Sequence, residues 1–83
     1  MEKLRNILEY KGYWTDVEID FESHMFHGHL EGIRDFVNFE SEISRGVEGI
    51  IYEFHSAVDD YLEFCRAMER APDVPNAPQE IAL

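Results

Sequence analysis

One cysteine and only seven lysines and arginines in 83 residues are the scarcest features of this chain. Cys65 stands alone, so no intrachain disulfide can form, which fits a reducing cytosol. Seven basic residues against eighteen acidic ones, a net charge of −11, exclude the phosphate-binding stripe of a nucleic-acid-binding domain. No apolar run approaches membrane-spanning length, and Glu2, Lys3 and Arg5 break up any signal-peptide block. There is no Gly-rich phosphate loop, no serine elbow, no basic cluster and no internal repeat. These absences lead us to expect a small cytoplasmic protein with no membrane segment and no direct nucleic-acid binding. A domain this short buries only about 60% of its unfolded surface, so association, homo-oligomers included, is an expected supplement.

Hydrophobic residues make up 45% of the chain, ample for a globular core. From Tyr10 to Glu22 the pattern ends in strict alternation: Val17, Ile19 and Phe21 are apolar, and Glu18, Asp20 and Glu22 lie between them. Period two with one charged side predicts a half-buried strand in an antiparallel sheet, with Gly12 at a bulge or close backbone approach. Ser23-His24 reads as a turn. Phe26, Gly28, Leu30 and Gly32, alternating with His27, His29 and Glu31, read as a second strand. A short third strand is expected over Phe36–Glu40, and the segment Glu42 to Gly46 breaks the pattern.

A long helix is predicted from Val47 to Arg70. Val47, Ile51, Phe54, Val58, Tyr61, Leu62, Cys65 and Met68 recur at three- and four-residue steps and form one face. Asp59 and Asp60 project away from it. Gly46 is the expected N-cap, Glu48 suits the first turn, and Arg66 and Arg70 suit the last. Gly49 would cost about 1 kcal/mol against alanine if it faced solvent. Ala57 and Phe64 widen the stripe on one flank, either as an extra contact surface or as cover for the chain's own ends. Pro72, Pro75 and Pro78 then forbid a helix and predict an extended tail over 71–83. The predicted fold is α+β: a three-stranded antiparallel meander with one long helix across one face, occupying residues 1–70. The other sheet face would carry Glu18, Asp20, His27, His29 and Glu31, a polar surface suited to a partner.

Candidate chemistry is sparse. Clustered carboxylates can hold divalent ions in a nuclease. Asp59 and Asp60, however, diverge by about 100° around a helix, and Glu18, Asp20 and Glu22 have no pocket. Solvated surface carboxylates are the simpler reading. His27-x-His29 puts two imidazoles on one side of a strand, but third and fourth metal ligands are not evident. Cys65 falls on the buried helix face as an inert thiol. We therefore expect no catalytic residue, no cofactor and no metal.

Several stretches carry a family resemblance when taken in order: Leu8-Glu-Tyr10-Lys11-Gly12-Tyr13, Val17-Glu-Ile-Asp20, Phe26-His-Gly28, Gly32-Ile33 and Phe39. They are followed by Phe54-x-x-x-Val58-Asp59-Asp60-Tyr61-Leu62, Cys65, Pro72 and Pro75. From about Leu8 to Pro75 the chain resembles the N-terminal domain of the HicB family, antitoxins of HicA–HicB toxin–antitoxin pairs. The resemblance implies a degenerate, partial ribonuclease H-like fold. It also implies binding to HicA, a small basic ribonuclease toxin that uses a histidine and whose active site the antitoxin masks. Many relatives continue into a further strand and an operator-binding domain. The sequence here stops at Leu83, so the expectation is a toxin-binding domain alone. The Glu40–Gly46 segment is longer than usual for the family, and the glycine expected just after the helix is replaced around Glu69 or Ala71. Two other classes of function stay open at this point: a ribonuclease H-like metal-dependent nuclease, and an orphan homo-oligomeric scaffold.

Overall fold

The computed structural model describes residues 6–76, so the predicted tail beyond Asn76 and the charged start lie outside the described residues. The chain is α+β. Five short strands, β1 (Ile7–Tyr10), β2 (Tyr13–Asp16), β3 (Glu18–Asp20), β4 (Met25–His29) and β5 (Asn38–Glu42), precede one helix, α1 (Gly46–Ala67). β1 and β2 form a two-stranded sheet, and β3, β4 and β5 form a three-stranded antiparallel sheet in that order. Only Val17 separates β2 from β3, and Glu31 N–H donates to the Trp14 carbonyl at 2.9 Å, tying β2 to the chain just beyond β4.

The expected single strand over Tyr10–Glu22 is thus corrected to a hairpin followed by a separate strand. Tyr10 pairs with Tyr13, and the two residues between them, Lys11 (φ 53°) and Gly12 (φ 85°), both adopt positive φ. That is the two-residue turn whose twist matches antiparallel strands, and glycine takes its second position without strain. Gly12 marks a turn, where a bulge or a close backbone approach was expected.

The predicted apolar strand face is also corrected. Val17 is buried, but Ile19 is 44% exposed and Phe21 78% exposed, because β3 ends at Asp20 and Phe21 begins the turn. Asp20 Oδ1 accepts the Glu22 and Ser23 amides at 3.0 and 3.3 Å, closing that turn, and His24 completes it at φ 60°. The third strand runs Asn38–Glu42, two residues later than predicted, and continues into a 3₁₀ turn at Ile43–Arg45.

The helix starts at Gly46, with Arg45 in the capping position and no side-chain cap, so Gly46 is not the N-cap. It ends at Ala67, short of the predicted Arg70. Arg70 N–H donates to Cys65 O at 2.9 Å, Glu69 N–H donates to Arg66 O at 3.1 Å, and Glu69 takes a left-handed φ of 53°. This is the Schellman stop, with glutamate where glycine is the usual occupant.

Ile50, Phe54, Val58, Tyr61 and Cys65 line the buried helix face, which packs mainly on β5 and also on β4 and β1. Phe54, Val58 and Cys65 are wholly buried, and each large apolar side chain so buried is worth about 1.5–3 kcal/mol. Val47 and Met68, expected on this face, are each 62% exposed: Val47 stands in the first turn of α1 and Met68 just beyond its last residue. Gly49, expected to be a weak point, is buried instead. A Cβ there would lie 2.6 Å from Arg45 Cβ and 2.7 Å from Ser41 Oγ, so the glycine lets α1 approach β5. Gly28 does the same between the sheet and the ring of Phe39, which a Cβ would meet at 2.6 Å. Among the described residues no helix is long and apolar enough to cross a membrane.

Candidate functional site

Most of the motif residues turn inward. Phe54 and Val58 fill the core, with Phe26 and Leu62 half-buried against it. Tyr13 meets Tyr61 edge-on, with ring centroids 5.8 Å apart. The Tyr10 ring stacks on His55 at 3.9 Å, and the Tyr10 hydroxyl donates to Asp59 Oδ2 at 3.3 Å. Lys11 Nζ reaches Asp59 Oδ1 at 2.8 Å. The Lys11 hydrogen bond is the main reason that the Asp59 carboxyl sits below the usual carboxylate range, and Asp59 in turn raises Lys11. Tyr10, Lys11 and Asp59 thereby pin the first hairpin to the helix.

The segment after the helix is held just as firmly. Asp73 N–H donates to the Tyr61 hydroxyl at 2.9 Å, and the Tyr13 hydroxyl donates to the Asp73 carbonyl at 2.6 Å. The Asp73 carboxylate accepts the Arg34 amide at 2.8 Å and its guanidinium at 2.9 Å. Arg34 holds the Asp73 carboxyl below its ordinary value, while burial pushes both Tyr13 and Tyr61 upward. Trp14 Nε1 donates to the Asn76 carbonyl at 2.6 Å, and Gly32 lies against Pro75. The first part of the predicted extended tail is therefore strapped to Tyr13, Trp14, Arg34 and Tyr61.

What these internal contacts leave outside is the sheet face opposite α1. Strand register aligns Glu18, His27 and Glu40 in one row across β3, β4 and β5, with His29 opposite Asn38 in the next row. His27 Nδ1 lies 3.5 Å from Glu40 Oε1, and His29 Nε2 lies 3.2 Å from Glu31 Oε2. Asp16, Glu18, His27, His29, Asn38 and Glu40 line a shallow groove of about 430 Å³ on this face. Four of the five proposed contact residues, Glu18, His27, His29 and Glu31, are thus brought together. The fifth, Asp20, uses Oδ1 to accept the Glu22 and Ser23 amides, and its carboxyl is held below the ordinary value first by the Ser23 side chain, with His27 adding to the effect.

Glu40 is the member of this row that sequence reasoning missed. Alternation along Asn38-Phe39-Glu40-Ser41-Glu42 signals its outward direction, but only strand pairing puts it opposite His27. The five described basic side chains, Lys11, Arg34, Arg45, Arg66 and Arg70, pair with Asp59, Asp73, Glu53, Glu63 and Asp35, all away from the Glu18–His27–Glu40 row. Among the described residues, the side chains that meet the carboxylates of this face are the imidazoles, His27 against Glu40 and His29 against Glu31. Glu18 and Glu40 are both exposed on that face. The remaining motif aspartate, Asp60, is exposed on the other side of the molecule beside Phe64. Among the described residues, no group of three or more His, Cys, Asp or Glu side chains is placed to hold a metal ion. Comparison with family models, with curated proteins and with solved structures finds no match to the chain.

Proposed function

We propose that this chain is an antitoxin-type protein-interaction domain of the HicB kind, which neutralises a small, basic, HicA-like mRNA-cleaving toxin. The observation that carries the reading is the Glu18–His27–Glu40 row, an acidic stripe on a sheet face whose described cations are all committed elsewhere. A ribonuclease must present a cationic surface to RNA, and a folded anionic surface can occupy it in competition with phosphates. Masking the toxin's active site then needs no chemistry from this chain, which we take as non-catalytic, cofactor-free, cytoplasmic and without nucleic-acid affinity of its own.

The same proposal takes the fold as a degenerate, partial ribonuclease H-like arrangement, supported by antiparallel strands followed by one crossing helix. Homo-oligomer formation belongs to it as well, because so small a core gains from association.

The reading expects a short basic reading frame beside the gene, and the test is co-expression with it. Expressed alone, that frame should arrest growth, and this chain should restore it. Glu18→Lys combined with Glu40→Lys should slow association and reduce its salt dependence, since steering weakens beyond roughly 8–10 Å at physiological ionic strength. Arrest that continues despite a folded, expressed antitoxin sinks the reading. RNA cleavage by the purified chain with Mg²⁺ or Mn²⁺, abolished by Asp59→Asn, would replace it with a nuclease.

A further inference from the structure

A second groove, of about 410 Å³, lies between the loop before β5 and the C-terminal half of α1. Phe36, Ala57 and Phe64 form its apolar walls, Tyr61 lies beneath, and Asp60 stands at the rim. Phe36 is 81% exposed and Phe64 is 52% exposed. Two solvent-facing phenylalanines flanking one depression are a costly surface for a monomer to maintain, and aromatic-lined depressions are where binding energy concentrates.

This groove is continuous with the acidic sheet face. Asn38, at the start of β5, lines both, and the Phe36 ring leans on His29 with centroids 6.2 Å apart. A body seated on the Glu18–His27–Glu40 row therefore needs only to wrap the β5 edge to reach Phe64.

Charge decides what fits there. Asp35 is neutralised by Arg70, whose guanidinium lies over the Phe64 ring, and Asp60 is left as the rim charge. A second copy seated in this groove would bring another Asp60 against the first, and an anionic lipid surface is repelled in the same way. A cationic segment with an apolar side chain meets neither penalty.

We propose that the groove between Phe36 and Phe64 is the anchor pocket for one large apolar side chain carried on a basic segment of the partner. It would act together with the acidic sheet face. This inference rests on the reading of that face as a docking surface for a basic protein. It adds an energetic division of labour: the acidic row governs encounter and salt dependence, and the aromatic groove governs residence time.

The probes are two synthetic peptides of equal length and arginine content, one with a central tryptophan and the other with serine in its place. Each is titrated into the isotopically labelled full chain and followed by NMR. The tryptophan peptide should bind at least about tenfold tighter, with amide shifts concentrated at Phe36, Ala57 and Phe64. Phe36→Ser and Phe64→Ser should each bring that ratio toward one while leaving the serine peptide's affinity unchanged, with circular dichroism confirming the fold. Glu18→Lys with Glu40→Lys should weaken both peptides alike. Equal binding of the two peptides to the wild-type chain, or a ratio unmoved in both serine variants, overturns the anchor pocket while leaving the acidic face standing. A wild-type dimer dissociated by Phe64→Ser puts a second copy in the groove and also overturns it. Failure of the serine peptide to bind at low salt sinks the acidic-face reading itself.

Discussion

Lys11 Nζ lies 2.8 Å from Asp59 Oδ1, joining the tip of the first hairpin to the outer side of the helix 48 positions later. The contact is about half exposed on both sides, so its strength depends on ionic strength. Lys11→Met should lower the melting temperature at low salt. Near 1 M salt, where the Debye length is about 3 Å, the difference from wild type should shrink. A salt-independent deficit would mean that Lys11 acts through packing on Tyr10 and not through charge.

Thr15 is wholly buried, and among the described residues its Oγ1 has no hydrogen-bond partner. A buried hydroxyl without a partner carries its desolvation penalty uncompensated. Thr15→Val keeps the branched shape and should stabilise the fold by about 1 kcal/mol, read by urea denaturation. Destabilisation would show that the hydroxyl is satisfied in solution by ordered water.

Gly28→Ala should destabilise by about 1–3 kcal/mol, as overpacking does, because the new Cβ collides with the Phe39 ring. Phe39→Leu removes the colliding atoms, so the double variant should lose less than the two single losses combined. Strict additivity in that cycle would place the cost of Gly28→Ala elsewhere.

Glu69 occupies the left-handed position that ends α1. A side chain there costs about 1–2 kcal/mol that glycine does not incur. Glu69→Gly should raise stability by about 1 kcal/mol, or about 4–8 °C in Tm for a domain this small. An unchanged Tm would argue that the stop is held by other contacts.

Asp73 is held below its ordinary value by Arg34, and Asp59 by Lys11. Lowered folded-state values mean that the stability they contribute is complete above the unfolded carboxyl pKa of about 3.9. It is lost as pH falls through the lower folded values. Discharging the other carboxylates in acid works in the opposite direction by relieving self-repulsion, so the informative comparison is with Asp73→Asn. That variant should be less stable at neutral pH, and its deficit should shrink as pH falls below about 4. Parallel stability curves would remove Asp73 from the acid response.

Alternation and helical periodicity made the helix, the strand-rich first half and the outward direction of Glu18, His27 and His29 legible, because each depends only on which neighbours share a face. The one-face stripe of Phe54, Val58, Tyr61 and Cys65 was legible for the same reason. The hairpin at Lys11-Gly12 was less so: a short run with one glycine fits a bulge as well as a turn, and the choice depends on what pairs across it. Ile19 and Phe21 continued the alternation of Val17 yet lie exposed, because β3 ends at Asp20 and the chain turns there, and the pattern does not record where a strand stops.

By itself the sequence determined the acidic surplus, the α+β class and the core stripe, all of which are properties of composition and local period. Only the tertiary structure decided that Glu40 would face His27, that Asp73 would clamp the chain beyond the helix, and that Phe36 would stand across a groove from Phe64. Each of these joins residues distant in sequence. Such contacts follow from strand register and from where the helix settles on the sheet, and the whole chain sets both at once.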